Sequence, residues 1–198
     1  MKATSILIAQ HRAIEALFGA LARETRRQAR ARTASRLAEE LIAHMAGEEA
    51  IFYPAVRRVL GEDIGPGEGS GPRSSRGLPA KGSVIEGAAA SGFEVDEPAV
   101  DSHFMLRAQL RRVLATRVQE PAFEPRSEAL RLLFAHHVQA EETALFPRVE
   151  AALADSQLET LGANVLGSRP PIWVVTTEAH ALIRSGKTRR GVQLPAVR

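Results

Sequence analysis

The stretch HMAGEEAIFYP, residues 44–54, occurs a second time in this chain as HVQAEETALFP, residues 137–147. Both copies read His, three residues, two Glu, three residues, an aromatic residue and Pro. Positions four apart on a helix differ by about 40° around its axis, so His44 and Glu48 present an imidazole and a carboxylate on one face. His137 and Glu141 do the same in the second copy. Two such faces could form a metal site between them.

The repetition extends towards the N-terminus of each copy. His11 precedes His44 by 33 residues, and His103 precedes His137 by 34. Apolar residues follow both at offsets of three, seven and ten, which is helical spacing. They are Ile14, Phe18 and Leu21 in the first copy and Leu106, Leu110 and Val113 in the second. The pattern indicates an internally duplicated helical hairpin, and so an all-α, up-and-down four-helix bundle.

The same patterns predict four helices. We expect them at about residues 5–28, from residue 33 or 35 to about 60, at 98–118 and at 127–154. For the histidines of each hairpin to lie level, the turns must fall near residues 28 and 120. Pro121 and Pro125 lie at the second of these positions and favour a break there.

The predicted domain spans residues 1–160 and carries an insertion at residues 61–97. Nine glycines occur in this insertion, so we expect a long flexible connection. Its sequence contains no obvious ligand set, which favours a tolerated insertion over a functional lid. Residues 161–198 are predicted to form a basic, weakly structured tail.

Composition excludes several classes of protein. The 198 residues contain no Cys, so disulfides, thiolate zinc sites and iron–sulfur clusters are excluded. No run of eighteen apolar residues occurs, and residues 1–10 lack the long apolar block of a signal peptide. We therefore expect a cytoplasmic protein that makes no contact with a membrane. Any metal must be held by His and carboxylate side chains.

Positive charge is concentrated in two places. Residues 162–198 contain six Lys or Arg and one acidic residue, Glu178, so this tail could bind a protein partner. Six arginines surround the first predicted turn, at positions 23, 26, 27, 30, 32 and 36. A solvated, charged turn explains them better than phosphate binding does. No nucleic-acid-binding motif accompanies them, so the sequence does not favour a nucleic-acid partner.

The candidate site consists of four imidazoles and two carboxylates. The predicted metal ligands are His11, His44, Glu48, His103, His137 and Glu141. Nitrogen and oxygen donors without sulfur suit iron or manganese best, with zinc possible. Six protein ligands fit two metals about 3.5–4 Å apart, bridged by the two Glu and capped by two His each.

This ordered set of six residues, with the aromatic-Pro pair after each Glu, resembles the hemerythrin-like HHE cation-binding domains. The resemblance covers about residues 5–155 without the insertion. It implies a non-haem centre of two iron ions, with manganese or zinc as less favoured metals, that binds dioxygen, nitric oxide or peroxide. In oxygen-carrying hemerythrins a second His follows the His of the third helix by one turn. Here that position is Arg107, which argues against reversible oxygen carriage.

Three functions follow as hypotheses. The first is a binding protein that senses or sequesters dioxygen, nitric oxide or iron. The second is an enzyme that reduces or disproportionates peroxide at an open metal position. The third is a purely structural role for the metal, in which removal of the metal unfolds the bundle.

Several neighbouring residues have two interpretations. Glu49 and Glu142 either face solvent or orient a ligand His. Glu15 is either an extra ligand or a salt-bridge partner, and His136 is predicted not to be a ligand. Tyr53 could donate a hydrogen bond at the site, but we favour packing at the helix end because its counterpart is Phe146.

Overall fold

The computed structural model describes residues 1–60 and 96–168, and this part of the chain is helical without strands. The helices are α1 (Ala3–Arg23), α2 (Arg27–Gly47), α3 (Tyr53–Leu60), α4 (Asp96–Leu114), α5 (Phe123–Ala140), α6 (Phe146–Ala152) and α7 (Asp155–Gly167). A π-helical turn at Glu48–Phe52 joins α2 to α3, and a second at Glu141–Leu145 joins α5 to α6. Two long helices result, α2–α3 and α5–α6. With α1 and α4 they form the predicted bundle of two hairpins.

Both π turns begin at the first Glu of the repeated motif and end two residues before its Pro. In a regular α-helix the N–H of Pro54 would have to bond the carbonyl of residue 50, and proline has no N–H. The chain instead makes a wider turn, in which the Tyr53 N–H bonds the Glu48 carbonyl. The Phe146 N–H bonds the Glu141 carbonyl in the same way. The prolines therefore widen the helices beside the site rather than ending them.

The turns of the two hairpins differ in how well they were predicted. The second lies between α4 and α5, between residues 114 and 123, and confirms the prediction near residue 120. The first lies at residues 24–26, and α2 begins at Arg27 rather than at residue 33 or 35. Thr33 is inside α2, with its hydroxyl bonded to the Ala29 carbonyl. The residues before Thr33 are Arg, Gln and Ala, which are good helix formers.

The core has two apolar clusters with the site residues between them. One lies towards the turns and includes Phe18, Leu41 and Phe134. The other lies towards the opposite end of the bundle and includes Phe52 and Phe146. His11 marks the boundary in α1, since buried Leu7 belongs to one cluster and buried Ile14 to the other.

Helix α7 is an element that the sequence analysis did not predict. It begins just after the predicted end of the fourth helix, and residues 161–167 of the predicted tail belong to it. Its buried residues Leu158, Leu161 and Val165 join the cluster at the end of the bundle. Gly162 lies so close to α1 that a Cβ there would be 2.5 Å from the Met1 carbonyl oxygen. Helix α7 therefore covers the end of the bundle beside the site.

Most of the predicted insertion at 61–97 and the tail from residue 169 lie outside the described residues. Among the helices that the structure describes, none is long and apolar enough to span a membrane.

Candidate metal centre

Each of the four bundle helices places one histidine in the same buried layer. His11 lies on α1, His44 on α2, His103 on α4 and His137 on α5, and none is more than 2% exposed. The Nε2 atoms of all four approach the two central carboxylates. The predicted histidines therefore converge on one point.

Glu48 and Glu141 lie at the centre of this layer and are also buried. Glu48 Oε1 is 3.3 Å from His44 Nε2, and Glu48 Oε2 is 3.2 Å from His103 Nε2. Glu141 Oε2 is 3.2 Å from His11 Nε2 and 3.5 Å from His137 Nε2. Each glutamate thus contacts histidines of both hairpins, which is the arrangement expected of a bridging carboxylate.

Five of the six predicted residues form a group that could hold a metal ion. One ligand atom from each of them lies within 4.8 Å of the others; the five are His11, His44, Glu48, His137 and Glu141. His103 adjoins this group through its 3.2 Å contact with Glu48. The structure therefore brings all six predicted residues together.

The imidazoles are arranged as two pairs, one from each hairpin. The ring centroids of His11 and His44 are 4.8 Å apart, and those of His103 and His137 are 5.0 Å apart. The distances from His137 to His11 and to His44 are longer, at 5.9 and 5.8 Å. Each pair could cap one metal ion.

The second ring nitrogen of two histidines contacts a carboxylate of the other hairpin. His11 Nδ1 is 2.8 Å from Glu142 Oε1, and His103 Nδ1 is 2.8 Å from Glu49 Oε1. A carboxylate can only accept, so these Nδ1 atoms donate and leave the Nε2 lone pairs facing the centre. Of the two interpretations of Glu49 and Glu142, orientation of a ligand histidine agrees with the structure.

The other two histidines have neutral partners within their own hairpin. His44 Nδ1 is 3.0 Å from Gln10 Oε1, and His137 Nδ1 is 3.3 Å from Ser102 Oγ. Gln10 immediately precedes His11, and Ser102 immediately precedes His103. These partners, which the sequence analysis missed, follow the internal duplication. Aligning the two repeats one position further back would have indicated them.

Two arginines bind the carboxylates that face His11 and His103. Arg12 donates to Glu142 Oε2 at 2.5 Å and to Glu15 at 3.1 Å. Glu15 is therefore a salt-bridge partner and does not reach the site. Arg107 donates to both oxygens of Glu49, at 2.5 and 3.1 Å. Arg107 thus binds Glu49 outside the ring of histidines. Oxygen-carrying hemerythrins have a ligand histidine at this position of the sequence.

Tyr53 is closer to the site than the favoured packing interpretation allows. Its ring packs in the cluster at the end of the bundle, as expected. Its buried hydroxyl donates to Glu141 Oε1 at 2.7 Å and lies 3.4 Å from His103 Nε2. Its counterpart Phe146 instead stacks on His11, with centroids 5.9 Å apart. The two halves of the site therefore differ at this position.

Burial controls the protonation of the central groups. Burial and the neighbouring carboxylate of Glu141 raise the pKa of Glu48 well above 4.5. Burial would also raise the pKa of Glu141, but the imidazoles of His137 and His11 hold it at about 2. Burial lowers the pKa of His44 well below 6.5 and that of His137 to about 4. At neutral pH these imidazoles are neutral, as a metal ligand must be.

Several atoms facing the centre lack the partners that buried polar atoms normally have. Among the described residues, no hydrogen-bond partner is found for His11 Nε2, His44 Nε2, His137 Nε2, either oxygen of Glu48 or Glu141 Oε2. A divalent cation would satisfy these lone pairs together. The residues present therefore fit a metal centre with nitrogen and oxygen ligands.

His136 is exposed and is absent from the cluster, in agreement with the prediction that it is not a ligand.

Comparisons with known proteins find similarity in sequence and in fold. Residues 2–68 match the family model of the Hemerythrin HHE cation binding domain, a span that includes His11, His44 and Glu48. The structure is similar to the crystal structure of a hemerythrin HHE cation binding domain-containing protein from Mycobacterium kansasii. The TM-score is 0.60 at 17% sequence identity, covering 96% of this chain and 94% of the other. At this identity the likeness shows the fold alone. No curated protein matches the sequence. The resemblance predicted from the sequence is confirmed.

Proposed function

We propose that this hemerythrin-like chain holds two iron ions between its hairpins. The bound ions bind or sense dioxygen or nitric oxide, or their uptake itself is the function and the protein sequesters iron. The observation that carries the proposal is the convergence of four imidazole Nε2 atoms and two carboxylates in one buried layer. His11 and His44 would hold one ion, His103 and His137 the other, and Glu48 and Glu141 would bridge them. When bound, the iron would supply the open positions and the electrons that a small ligand requires.

The chain's own residues prepare this site in three ways. Glu142, Gln10 and Glu49 accept from the Nδ1–H groups of His11, His44 and His103, so that the Nε2 atom of each of these histidines is available as a ligand atom. The Ser102 hydroxyl contacts Nδ1 of His137. The apolar clusters on both sides exclude water. Tyr53 holds one oxygen of Glu141 by a hydrogen bond and so orients a bridging carboxylate.

The proposal is tested by anaerobic reconstitution of the full chain with ferrous iron. We expect about two irons per chain, and an optical spectrum that changes when dioxygen or nitric oxide is added. Less than one tightly held iron per chain, with zinc binding no better, would overturn the proposal. His136→Ala is the matched control, because this exposed residue adjoins His137 and does not reach the site.

A second candidate is an enzyme that reduces or disproportionates peroxide. The Tyr53 hydroxyl favours it, because a buried phenol beside His103 and Glu141 offers a proton at the site. Burial raises the pKa of Tyr53 well above 10, so the phenol keeps its proton at neutral pH. Turnover of hydrogen peroxide above that of free iron, reduced in Tyr53→Phe, would support this candidate. Absence of turnover by the iron-loaded protein would leave binding or sensing.

We also propose that the protein works in the cytoplasm and that the partner of its metal site is a small diatomic molecule or peroxide. A protein partner for the basic tail is a proposal from charge alone, and most of that tail lies outside the described residues.

A further inference from the structure

The two carboxylates that face His11 and His103 are bound differently by their arginines. Glu142 uses one oxygen for His11 and the other for Arg12. Glu49 Oε1 accepts from both His103 and Arg107, at 2.8 and 2.5 Å, and its Oε2 accepts a second bond from Arg107 at 3.1 Å. The acceptor of His103 is therefore shared with a guanidinium, whereas the acceptor of His11 is not.

The side chains of Glu142 and Glu49 also differ in their exposure to solvent. The Glu142 side chain is 20% exposed and that of Glu49 is 41% exposed. A hydrogen bond to a carboxylate is stronger where less water competes for it. A stronger acceptor at Nδ1 makes the imidazole a better electron donor at Nε2. His11 should therefore be the stronger ligand.

The aromatic residues beside the two histidines also differ. A hydroxyl, that of Tyr53, lies 3.4 Å from His103 Nε2. His11 stacks on the apolar ring of Phe146. The lone pair of His103 therefore has a polar neighbour on the metal side that His11 lacks.

We propose that the two metal positions are unequal, and that Glu142 and Glu49 act as positioning residues that make the His11–His44 position the tighter and first filled. This inference rests on the proposed function, since it requires that two ions bind. It adds an order of binding that follows from residues outside the ligand set.

The test is a stepwise titration of the metal-free full chain with Co²⁺. Binding is monitored by calorimetry and by the visible absorption of the bound ion. We expect two steps whose dissociation constants differ by about tenfold or more. Glu142→Gln keeps the shape of the side chain but removes its charge, and should weaken the first step by about tenfold. Glu49→Gln should weaken the second step and leave the first unchanged.

Arginine variants provide a test that leaves the carboxylates in place. Arg12→Gln should weaken the first step, because Arg12 holds Glu142. The matched control is Arg111→Gln, an exposed arginine one turn beyond Arg107, which should change neither step.

Three results would overturn the inference, and the third can be distinguished from the first two. Two equal steps in the unsubstituted chain, or a first step weakened by Glu49→Gln and not by Glu142→Gln, would refute unequal positions while leaving the di-metal centre intact. Failure of the unsubstituted chain to take up two ions of either Co²⁺ or Fe²⁺ would refute the proposed function, and the inference with it.

Discussion

Replacement of Glu48 by Gln should stabilise the metal-free protein while impairing metal binding. Glu48 is fully buried, and neither oxygen has a hydrogen-bond partner among the described residues. Burial and Glu141 raise its pKa well above 4.5, so the folded metal-free protein keeps a proton there to higher pH than the unfolded chain does. Gln is neutral in both states, so the substitution removes this difference.

The size of the effect follows from the pH interval. Consider a carboxyl whose pKa is higher in the folded protein than in the unfolded chain. Its contribution to stability is complete at a pH below the pKa of the unfolded chain, and it is lost as the pH rises towards the pKa of the folded protein. Between pH 4.5 and 7 the loss is at most about 3.5 kcal/mol, at about 1.4 kcal/mol per pH unit. Glu48→Gln should therefore raise the free energy of unfolding at pH 7 by up to about 3.5 kcal/mol, and change it little at pH 4.5. The corresponding rise in melting temperature is at most about 7–14 °C.

The assay is thermal unfolding of metal-free protein at several pH values, with and without added metal. Excess metal at 100 times its dissociation constant should stabilise the unsubstituted chain by about 2.7 kcal/mol, and stabilise Glu48→Gln much less. The control is Glu120→Gln, which replaces an exposed carboxyl far from the site and should leave stabilisation by the metal unchanged. If Glu48→Gln destabilises the metal-free protein at pH 7, or if its effect is the same at pH 4.5, the assignment of a buried carboxyl with a raised pKa is refuted.

Three further predictions concern other parts of the molecule. Gly162→Ala should destabilise the fold by about 1–3 kcal/mol, because the new methyl group would meet the backbone of α1, whereas Gly167→Ala meets nothing within 4 Å and should be neutral; equal melting temperatures for the two variants would contradict the close packing of α7. His137→Ala should lower metal content while His136→Ala leaves it unchanged, and metal analysis giving the reverse would mean that the register of α5 is wrong. Tyr53→Phe should keep the metal but weaken the orientation of Glu141, which the optical spectrum of the iron-loaded protein would detect; an unchanged spectrum would make Tyr53 a packing residue only.

The convergence of the six candidate residues could be predicted because it depends on local spacing. His44 with Glu48, and His137 with Glu141, share a helical face by the period of the helix alone. The internal duplication then related His11 to His103, so the position of each supported the other. Neither step required knowledge of tertiary contacts.

The remaining features depend on contacts between distant segments. Contacts such as that of Arg12 with Glu142 join residues 130 positions apart, and no periodic pattern indicates them. Helix α7 was missed because Gly162 and Gly167 lower its helix propensity. Gly162 is nevertheless well suited to its position, because only hydrogen fits against α1 there. The glycine that weakened the prediction is thus the residue that permits the packing.

The number of ligand atoms that the protein supplies to each ion links the identity of the metal to the function of the site. If Glu48 and Glu141 both bridge, each ion receives two nitrogens and two oxygens from the protein. Four donors complete the tetrahedral shell of a structural zinc, and such a site would have no place for a ligand. A six-coordinate iron with the same donors would keep two places for water or a small molecule. A structural role and a reactive role therefore do not require different residues here. They require different metals in the same layer, which is why metal identity, measured together with ligand binding, separates the hypotheses better than any substitution among the six residues.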